Sequence, residues 1–380
     1  MKKLKLGLLL VGNESWMGGV YYALNIIRAL SKLSEESVPD IYVFYSKEIP
    51  DELIDELRAN AHVKLYPVFN QRFISRVVNA VSIRLFRYNW WLSKKFNGLD
   101  LDVIYPFLSY DKTLRTKAIK LHWIPDFQHH FLPEYFKKSE IRERDKAFER
   151  IAKHAQYLVF SSEDAKSHFN TLYPKSKIAQ FVFNFSSEAA DIDLLNRGEI
   201  LEKYEVSKPY FIVSNQFWRH KNHRLVLEAL VLLKAMQKDF EIIFTGRQED
   251  YRHPEYVPEI LEFVNASKIS NSRFLGFISR QDQLSLMKHS IAVVQPSLFE
   301  GWGTVIEDAK ALEVPVIASD IQIHREQLRG DGYYFKPDEP KALAKLMEIG
   351  LKDPSKLKSP DCFNKEPQLI LQNIMKEILM

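Results

Sequence analysis

Short apolar runs alternate along this chain with longer stretches whose apolar residues recur at helical spacing. In the first half, Leu4–Val11, Ile41–Tyr45, Val63–Pro67, Val103–Phe107, Ala118–Ile124 and Tyr157–Ser161 read as strands. In the second half the strands are Tyr210–Ser214, Glu241–Thr245, Arg273–Phe277, Ile291–Gln295, Val314–Ala318 and Tyr333–Pro337. Helices fall between them. Val20, Ala23, Leu24, Ile27 and Leu30 form one apolar stripe. Glu52–Asn60 and Ser139–His154 are polar helices, and Ser162 caps another with Glu163 and Asp164 in its first turn. Further helices are predicted at 280–289, 304–312, 324–328 and 341–351, and an amphipathic tail at 368–379. Strict alternation of strand and helix predicts α/β architecture with two doubly wound sheets. Periodicity fades over 184–208, which places a domain boundary near Phe185–Ser187. The expected domains are 1–185 and 186–365, followed by the tail 366–380.

Composition narrows this picture. The chain has 380 residues, enough for two domains that each bury a core. With 46% apolar residues it is globular and not disordered. A net charge of +4 is small for this length and does not point to nucleic acid. The single cysteine, Cys362, excludes an internal disulfide framework and a thiolate metal site. The opening MKKLKLGLLLVG imitates a secretion signal only faintly, and a buried first strand is the better reading. No apolar run approaches the ~20 residues of a membrane span.

Candidate chemistry concentrates between Gln295 and His324, QPSLFEGWGTVIEDAKALEVPVIASDIQIH. A strand runs into a loop with one acid, Glu300, and two glycines, Gly301 and Gly303. A helix starts at Thr304, and a strand follows. Such a unit offers a ligand site at the carboxyl edge of a parallel sheet. The glycines let backbone approach a ligand, and the helix N-terminus suits a phosphate. Glu300, Glu307 and Asp308 suit hydroxyls, which a nucleotide sugar carries on both ribose and hexose. A second loop, NQFWRHKNHR, follows the strand at 210–214. It brings Arg219, His220, Lys221 and His223 to the strand's end, where two cations can neutralise a diphosphate.

The stretch EGWGTVIEDAKALEVPVIAS resembles the donor-site motif of the retaining glycosyltransferases with two Rossmann-like domains, the GT-B fold of family 4. Glu300, Gly301, Gly303, Ala309, Ala311, Pro315 and Ser319 match the pattern. Trp302 stands for its phenylalanine and Glu313 for a glycine. The second motif glutamate falls on Asp308, with Glu307 one residue earlier, so either is a candidate for the ribose. The resemblance implies two doubly wound domains facing a cleft, with a C-terminal helix crossing back to the first. It also implies a donor site that includes Gly18, Gly19, Asn215, Gly246, Gly301, Trp302, Gly303, Thr304, Glu307 and Asp308. Lys221 matches the lysine that clamps the pyrophosphate. The usual arginine falls near Asn215 or Gln216, and Arg219 is its substitute from within the loop. Glu300 would hold the transferred sugar.

Two segments bear on the acceptor. In WIPDFQHHFLPEYF, residues 123–136, Asp126, Pro133 and Glu134 match the family's pattern, while Pro125 replaces a histidine that in the family faces the transferred sugar. Asp126, His129 and His130 are then acceptor-side candidates; these histidines or His122 would contact acceptor or donor, against ordinary loop histidines and, last, a metal site. The second segment is 70–97, with six bases (Arg72, Arg76, Arg84, Arg87, Lys94, Lys95), no acid, and interleaved apolar residues. It reads either as a domain helix with a solvated basic face or as a surface that lies on anionic lipid.

The expected function is transfer of a sugar, with retention, from a nucleotide diphosphate-sugar (UDP or GDP) to an acceptor hydroxyl on a lipid-linked or polysaccharide intermediate. Glu300, Lys221 and Arg219 carry the chemistry, and neither a metal nor any other cofactor is required. The expected setting is cytoplasmic, with a peripheral seat on the inner membrane face through 70–97, and without nucleic acid. The alternatives are a non-catalytic nucleotide-sugar-binding subunit, a membrane-docked scaffold and, on the same fold, a nucleotide-sugar isomerase.

Overall fold

The computed structural model describes residues 3–12, 17–46, 49, 51–67, 73–187, 189, 192–236, 239–361 and 366–380. Cys362, Arg72, residues 13–16 of the first glycine loop and the side chains of 73–77, Arg76 among them, lie outside the described set.

The first half runs β1 (Lys5–Leu9), α1 (Met17–Ser31), β2 (Asp40–Tyr45), α2 (Asp51–Arg58), β3 (Val63–Pro67), α3 (Phe73–Phe86), α4 (Trp90–Gly98), β4 (Val103–Phe107) and β5 (Ile119–Ile124). It continues through α5 (Gln128–Phe131), α6 (Lys138–His154), β6 (Tyr157–Phe160), α7 (Glu163–Leu172) and β7 (Ala179–Val182). The second half runs α8 (Arg197–Lys203), β8 (Tyr210–Ser214), α9 (His223–Leu232), β9 (Glu241–Thr245), α10 (Tyr256–Ala266), β10 (Ser272–Gly276), α11 (Arg280–Lys288) and β11 (Val293–Gln295). It closes with α12 (Thr304–Ala311), β12 (Val316–Ser319), α13 (Gln322–Leu328), β13 (Tyr333–Phe335), α14 (Pro340–Lys352) and α15 (Pro367–Leu379).

Two parallel sheets result. The first has the order β3-β2-β1-β4-β5-β6-β7, the second β10-β9-β8-β11-β12-β13. Each is doubly wound, as the strand–helix alternation predicts. In the second sheet the order reverses between β8 and β11. The carboxyl ends of those two strands therefore flank the crevice where such sheets bind ligands. β8 is buried at all five positions. Phe211 and Val213 feed the core beneath α9 and α14, and Tyr210 and Ile212 feed the opposite core beneath α8, α11 and α12. Burial on both faces explains why β8 shows no polar alternation in sequence.

The chain divides into two compact units, 1–126 with 142–185 and 365–380, and 127–141 with 186–364. The tail helix α15 packs on α1 within the first unit. The stretch 127–141, placed in the first half by sequence, packs with the second unit. Phe131 stacks on Phe299 at 5.8 Å and 18°, Tyr135 meets the edge of His253, and Glu140 accepts from Tyr251 Oη at 2.8 Å.

Other differences are local. The apolar stripe read from sequence begins at Val20, but α1 begins at Met17, so Gly18 and Gly19 lie in its first turn. The segment 70–97 forms two helices, because Arg87 turns to positive φ and Asn89 caps α4. Periodicity did not reveal α8, α10 or β7. A capping box formed by Asn196 and Glu199 starts α8.

Candidate active site

β8 and β11 deliver the two loops that carry the charged residues. After β8 the chain makes a single 3₁₀ turn, Arg219–Lys221, and Asn222 takes the left-handed conformation before α9 begins. The Asn222 amide donates to the Pro337 carbonyl at 2.9 Å, which holds that turn. After β11 the loop 296–303 bends back toward the turn. The Leu298 amide donates to the His220 carbonyl at 2.8 Å, so the two loops are joined through backbone.

Lys221 Nζ donates to Glu300 Oε1 at 2.6 Å. The Glu300 side chain is 9% exposed and that of Lys221 is 19%. Glu300 also accepts from Gln295 Nε2 at 2.9 Å. Burial by itself raises the Glu300 pKa. The Lys221 charge, His220, and hydrogen bonds from Lys221 and Ser297 more than reverse this and bring the carboxyl down to about 2. Three imidazoles surround the pair and stay neutral. Burial, then neighbouring positive charge, pushes His220 down to about 3, and burial also carries His223 to about 3 and His324 to about 4. Lys221 and Glu300 thus form the close ion pair here at neutral pH, and the Arg252 charge also reaches His220.

Asn215 stands where the resemblance expects an arginine. It is 5% exposed, and its amide donates to Gln295 Oε1 at 2.9 Å. It is a spacer between β8 and β11, not a free ligand. Gly246 makes that spacing possible. Its φ is +121°, and a Cβ there would lie 2.2 Å from the Asn215 carbonyl oxygen. Arg219 is turned away to α10, where Glu255 holds it at 3.0 Å and Glu259 at 2.8 Å. Two carboxylates already neutralise it, so it is a poor stand-in for the missing arginine.

The two ribose candidates are also engaged. Arg280 grips both oxygens of Asp308, which Ser187 also contacts, and Asp308 is 1% exposed. Glu307 is buried against Lys310 at 3.0 Å and Gln327 at 3.0 Å. Its pKa is raised, by burial first, against the lowering effect of Lys310. Gly301 and Trp302 are half-buried in the loop, and Gly303 precedes α12. Thr304 opens that helix.

Two residues that sequence reasoning did not single out, Gln327 and His324, hold this loop. Gln327 accepts from the Gly303 amide at 3.0 Å, donates to the Gly303 carbonyl at 3.0 Å, and donates to Glu307. His324 Nδ1 donates to the Ser319 carbonyl at 2.8 Å, and the Ser319 hydroxyl donates to the Ser297 carbonyl. Helix α13 therefore braces both ends of the loop 296–303. The available signal was the i, i+3 spacing of His324 and Gln327, which puts both on one helix face. Gln295 and Arg280 gave no such signal.

Of the residues expected on the acceptor side, Asp126 lies two residues beyond the end of β5 and pairs with Arg144 at 3.8 Å. His129 is buried against Phe127 and Phe136, and His130 is exposed beside it at 4.7 Å.

Comparison with known proteins gives this geometry a setting. Residues 197–366, nearly all in the second unit, match the family described as glycosyl transferases group 1. The O-antigen chain mannosyltransferase RfbU of Salmonella typhimurium is 27% identical over 171 residues, which is 44% of this chain and 46% of that protein. The O-antigen chain mannosyltransferase B of Escherichia coli is 22% identical over 347 residues, 88% of this chain and 87% of that protein. Among solved structures, Anabaena HepE in complex with UDP and glucose superposes with a TM-score of 0.67 at 15% identity, over 98% of each chain. That likeness shows the GT-B fold.

Proposed function

We propose that this chain, a glycosyltransferase of the GT-B fold and the group 1 type, moves a hexose from a nucleotide diphosphate-sugar to an acceptor hydroxyl with retention. The observation that carries this reading is the buried Lys221–Glu300 pair at the carboxyl ends of β8 and β11. A sugar and its diphosphate meet at one bond. A donor spanning that bond needs a cation for the leaving phosphate and a hydroxyl acceptor for the sugar within a few ångströms of each other. Lys221 supplies the first and Glu300 the second. When the donor arrives, Lys221 turns from the carboxylate to the diphosphate and stabilises it as it departs. The first N–H groups of α12, beside Gly303, assist it. Asp308 and Glu307 act from behind, by fixing α12, unless ligand entry frees one of them for the ribose.

The names of the relatives point to mannose and to an O-antigen-type glycan, and HepE points to a uridine diphosphate donor. These names support a UDP- or GDP-sugar donor and a lipid-linked or polysaccharide acceptor, and the reading sets the reaction in the cytoplasm. Donor discrimination comes from a thermal-shift panel of UDP, GDP, ADP and dTDP, followed by hydrolysis of the matching nucleotide sugars. A ligand at 100 times its dissociation constant adds about 2.7 kcal/mol, a visible shift. A flat panel would overturn the reading. The non-catalytic alternative gains from the inward Asn215 and the neutralised Arg219. Donor turnover by the pure protein that is lost in Glu300→Gln excludes it.

A further inference from the structure

Over its described side chains, 78–86, helix α3 turns much of its apolar surface outward. A surface helix normally buries its apolar stripe and shows water its polar side. Here Asn79 is 9% exposed and accepts from the Trp91 amide of α4 at 3.1 Å, and the hydroxyl of the half-buried Ser82 donates to the Tyr88 carbonyl at 2.8 Å. Ile83 is half-buried, but four apolar residues are exposed: Val78 at 48%, Val81 48%, Leu85 68% and Phe86 69%. At ~100° per residue, Val78, Val81 and Leu85 fall within an arc of roughly 60°. Arg84 and Arg87 are exposed beside that stripe, and Lys94 lies over the Trp90 ring at 5.3 Å on α4. No aspartate or glutamate occurs from Leu57 to Leu99. The domain-helix reading of this segment requires its apolar residues to be covered by the unit, and these four are not.

We propose that the outer face of α3 docks on an anionic phospholipid surface. The 14-residue helix lies in the plane of the interface and does not cross it. Among the described residues no helix is long and apolar enough to span a bilayer. Val78, Val81, Leu85 and Phe86 enter the acyl boundary. Arg84, Arg87 and Lys94 stay at the headgroups, where each basic side chain strengthens binding to an anionic surface roughly fivefold. A second copy of this chain is a poorer occupant. Two such faces laid together would set Arg84 and Arg87 against their own equivalents. The surface also gives a reason for the transferase reading to favour a lipid-linked acceptor, but binding is measured without any sugar transfer.

The experiment is flotation of the full chain with vesicles of equal parts phosphatidylglycerol and phosphatidylcholine, beside vesicles of phosphatidylcholine alone. The protein should float with the anionic vesicles and far less with the neutral ones, and added salt should release it. Leu85→Ser/Phe86→Ser should weaken binding at least tenfold, and Arg84→Glu/Arg87→Glu should abolish the preference for the anionic lipid. All four positions are exposed, so melting curves and nucleotide-induced shifts should match the wild type. A protein that stays in the buffer fraction with both vesicle types refutes the proposal, whatever the nucleotide panel shows. Flotation that survives Leu85→Ser/Phe86→Ser moves the contact elsewhere and refutes it equally. A dimer in sedimentation that Phe86→Ser dissociates, without flotation, assigns the face to a second copy and overturns it.

Discussion

Substitution of Lys221 by methionine tests the ion pair through its pH dependence. In the wild type the Glu300 carboxyl lies at about 2 against an ordinary 4.5. At ~1.4 kcal/mol per pKa unit this is roughly 3 kcal/mol of stability. Because the folded value is depressed, that stability is complete above about pH 4.5 and is lost as pH falls toward 2. Lys221→Met removes the charge that outweighs burial. The Glu300 pKa then rises above its ordinary value, and at neutral pH a buried carboxylate stands without its cation. Losing one partner of a buried pair costs about 3–5 kcal/mol. For a unit of this size each kcal/mol moves Tm by ~2–4 °C, so the variant should melt roughly 6–20 °C lower at pH 7. Its raised group reverses the sign: the variant gains stability as pH falls toward roughly 4.5, while the wild type is flat there. The assay is a set of thermal melts across that range. The double variant Lys221→Met/Glu300→Gln should recover most of the loss, since it leaves no buried charge. A gap between wild type and Lys221→Met that stays constant with pH, or a double variant no better than the single, would refute the pairing.

Gln327→Leu leaves the Gly303 amide and carbonyl and one Glu307 oxygen short of a partner. Each such loss costs about 1–3 kcal/mol, and the donor KM should rise at least tenfold while the acceptor KM holds; equal shifts in both would show a purely structural role. Arg219→Gln removes partly exposed ion pairs worth about 0.2–1 kcal/mol each, so nucleotide affinity should stay within roughly threefold of wild type. A hundredfold loss of affinity would return Arg219 to the diphosphate site. Gly246→Ala drives a Cβ into the Asn215 carbonyl and should lower Tm by more than about 10 °C or leave the protein insoluble, which expression and melting will show. The neutral His220 and His324 predict a transfer rate without an imidazole step between roughly pH 5 and 8 from either residue, which a pH–rate profile checks.

Much of the fold is legible because buried parallel strands are short apolar runs. β3, β4, β8 and β9 begin and end where the pattern puts them. What escaped has short or mixed patterning, such as α8, announced only by its capping box, and the four-residue β7. The site divides along another line. Lys221 and Glu300 follow strand ends and lie near their loops' tips, so spacing finds them. Their neighbours come from far along the chain: Ser187 and Arg280 on Asp308, Gln327 on Gly303, Glu255 and Glu259 on Arg219. A motif fixes which residue stands at a place, whereas the partner that occupies its charge is set by packing. The outward apolar surface of α3 is a further case, because 3.6-residue periodicity marks an apolar face without telling which way it looks.

The assignment of 127–141 to the second unit bears on how the chain folds while it is being made. That stretch leaves the ribosome well before Tyr251, Arg252 and Phe299, the residues it packs against. It is made more than a hundred residues ahead of those three partners. The first unit waits as well, because α15 joins it only after residues 365–380 emerge. Neither unit is contiguous in the chain, which works against strict domain-by-domain folding during synthesis. Cutting it at residue 185 to express the second half alone would strip away the aromatic cover of Phe299 and the acid that holds Tyr251 and Arg252. A soluble fragment of the second unit should therefore need 127–141 supplied in trans or spliced back in.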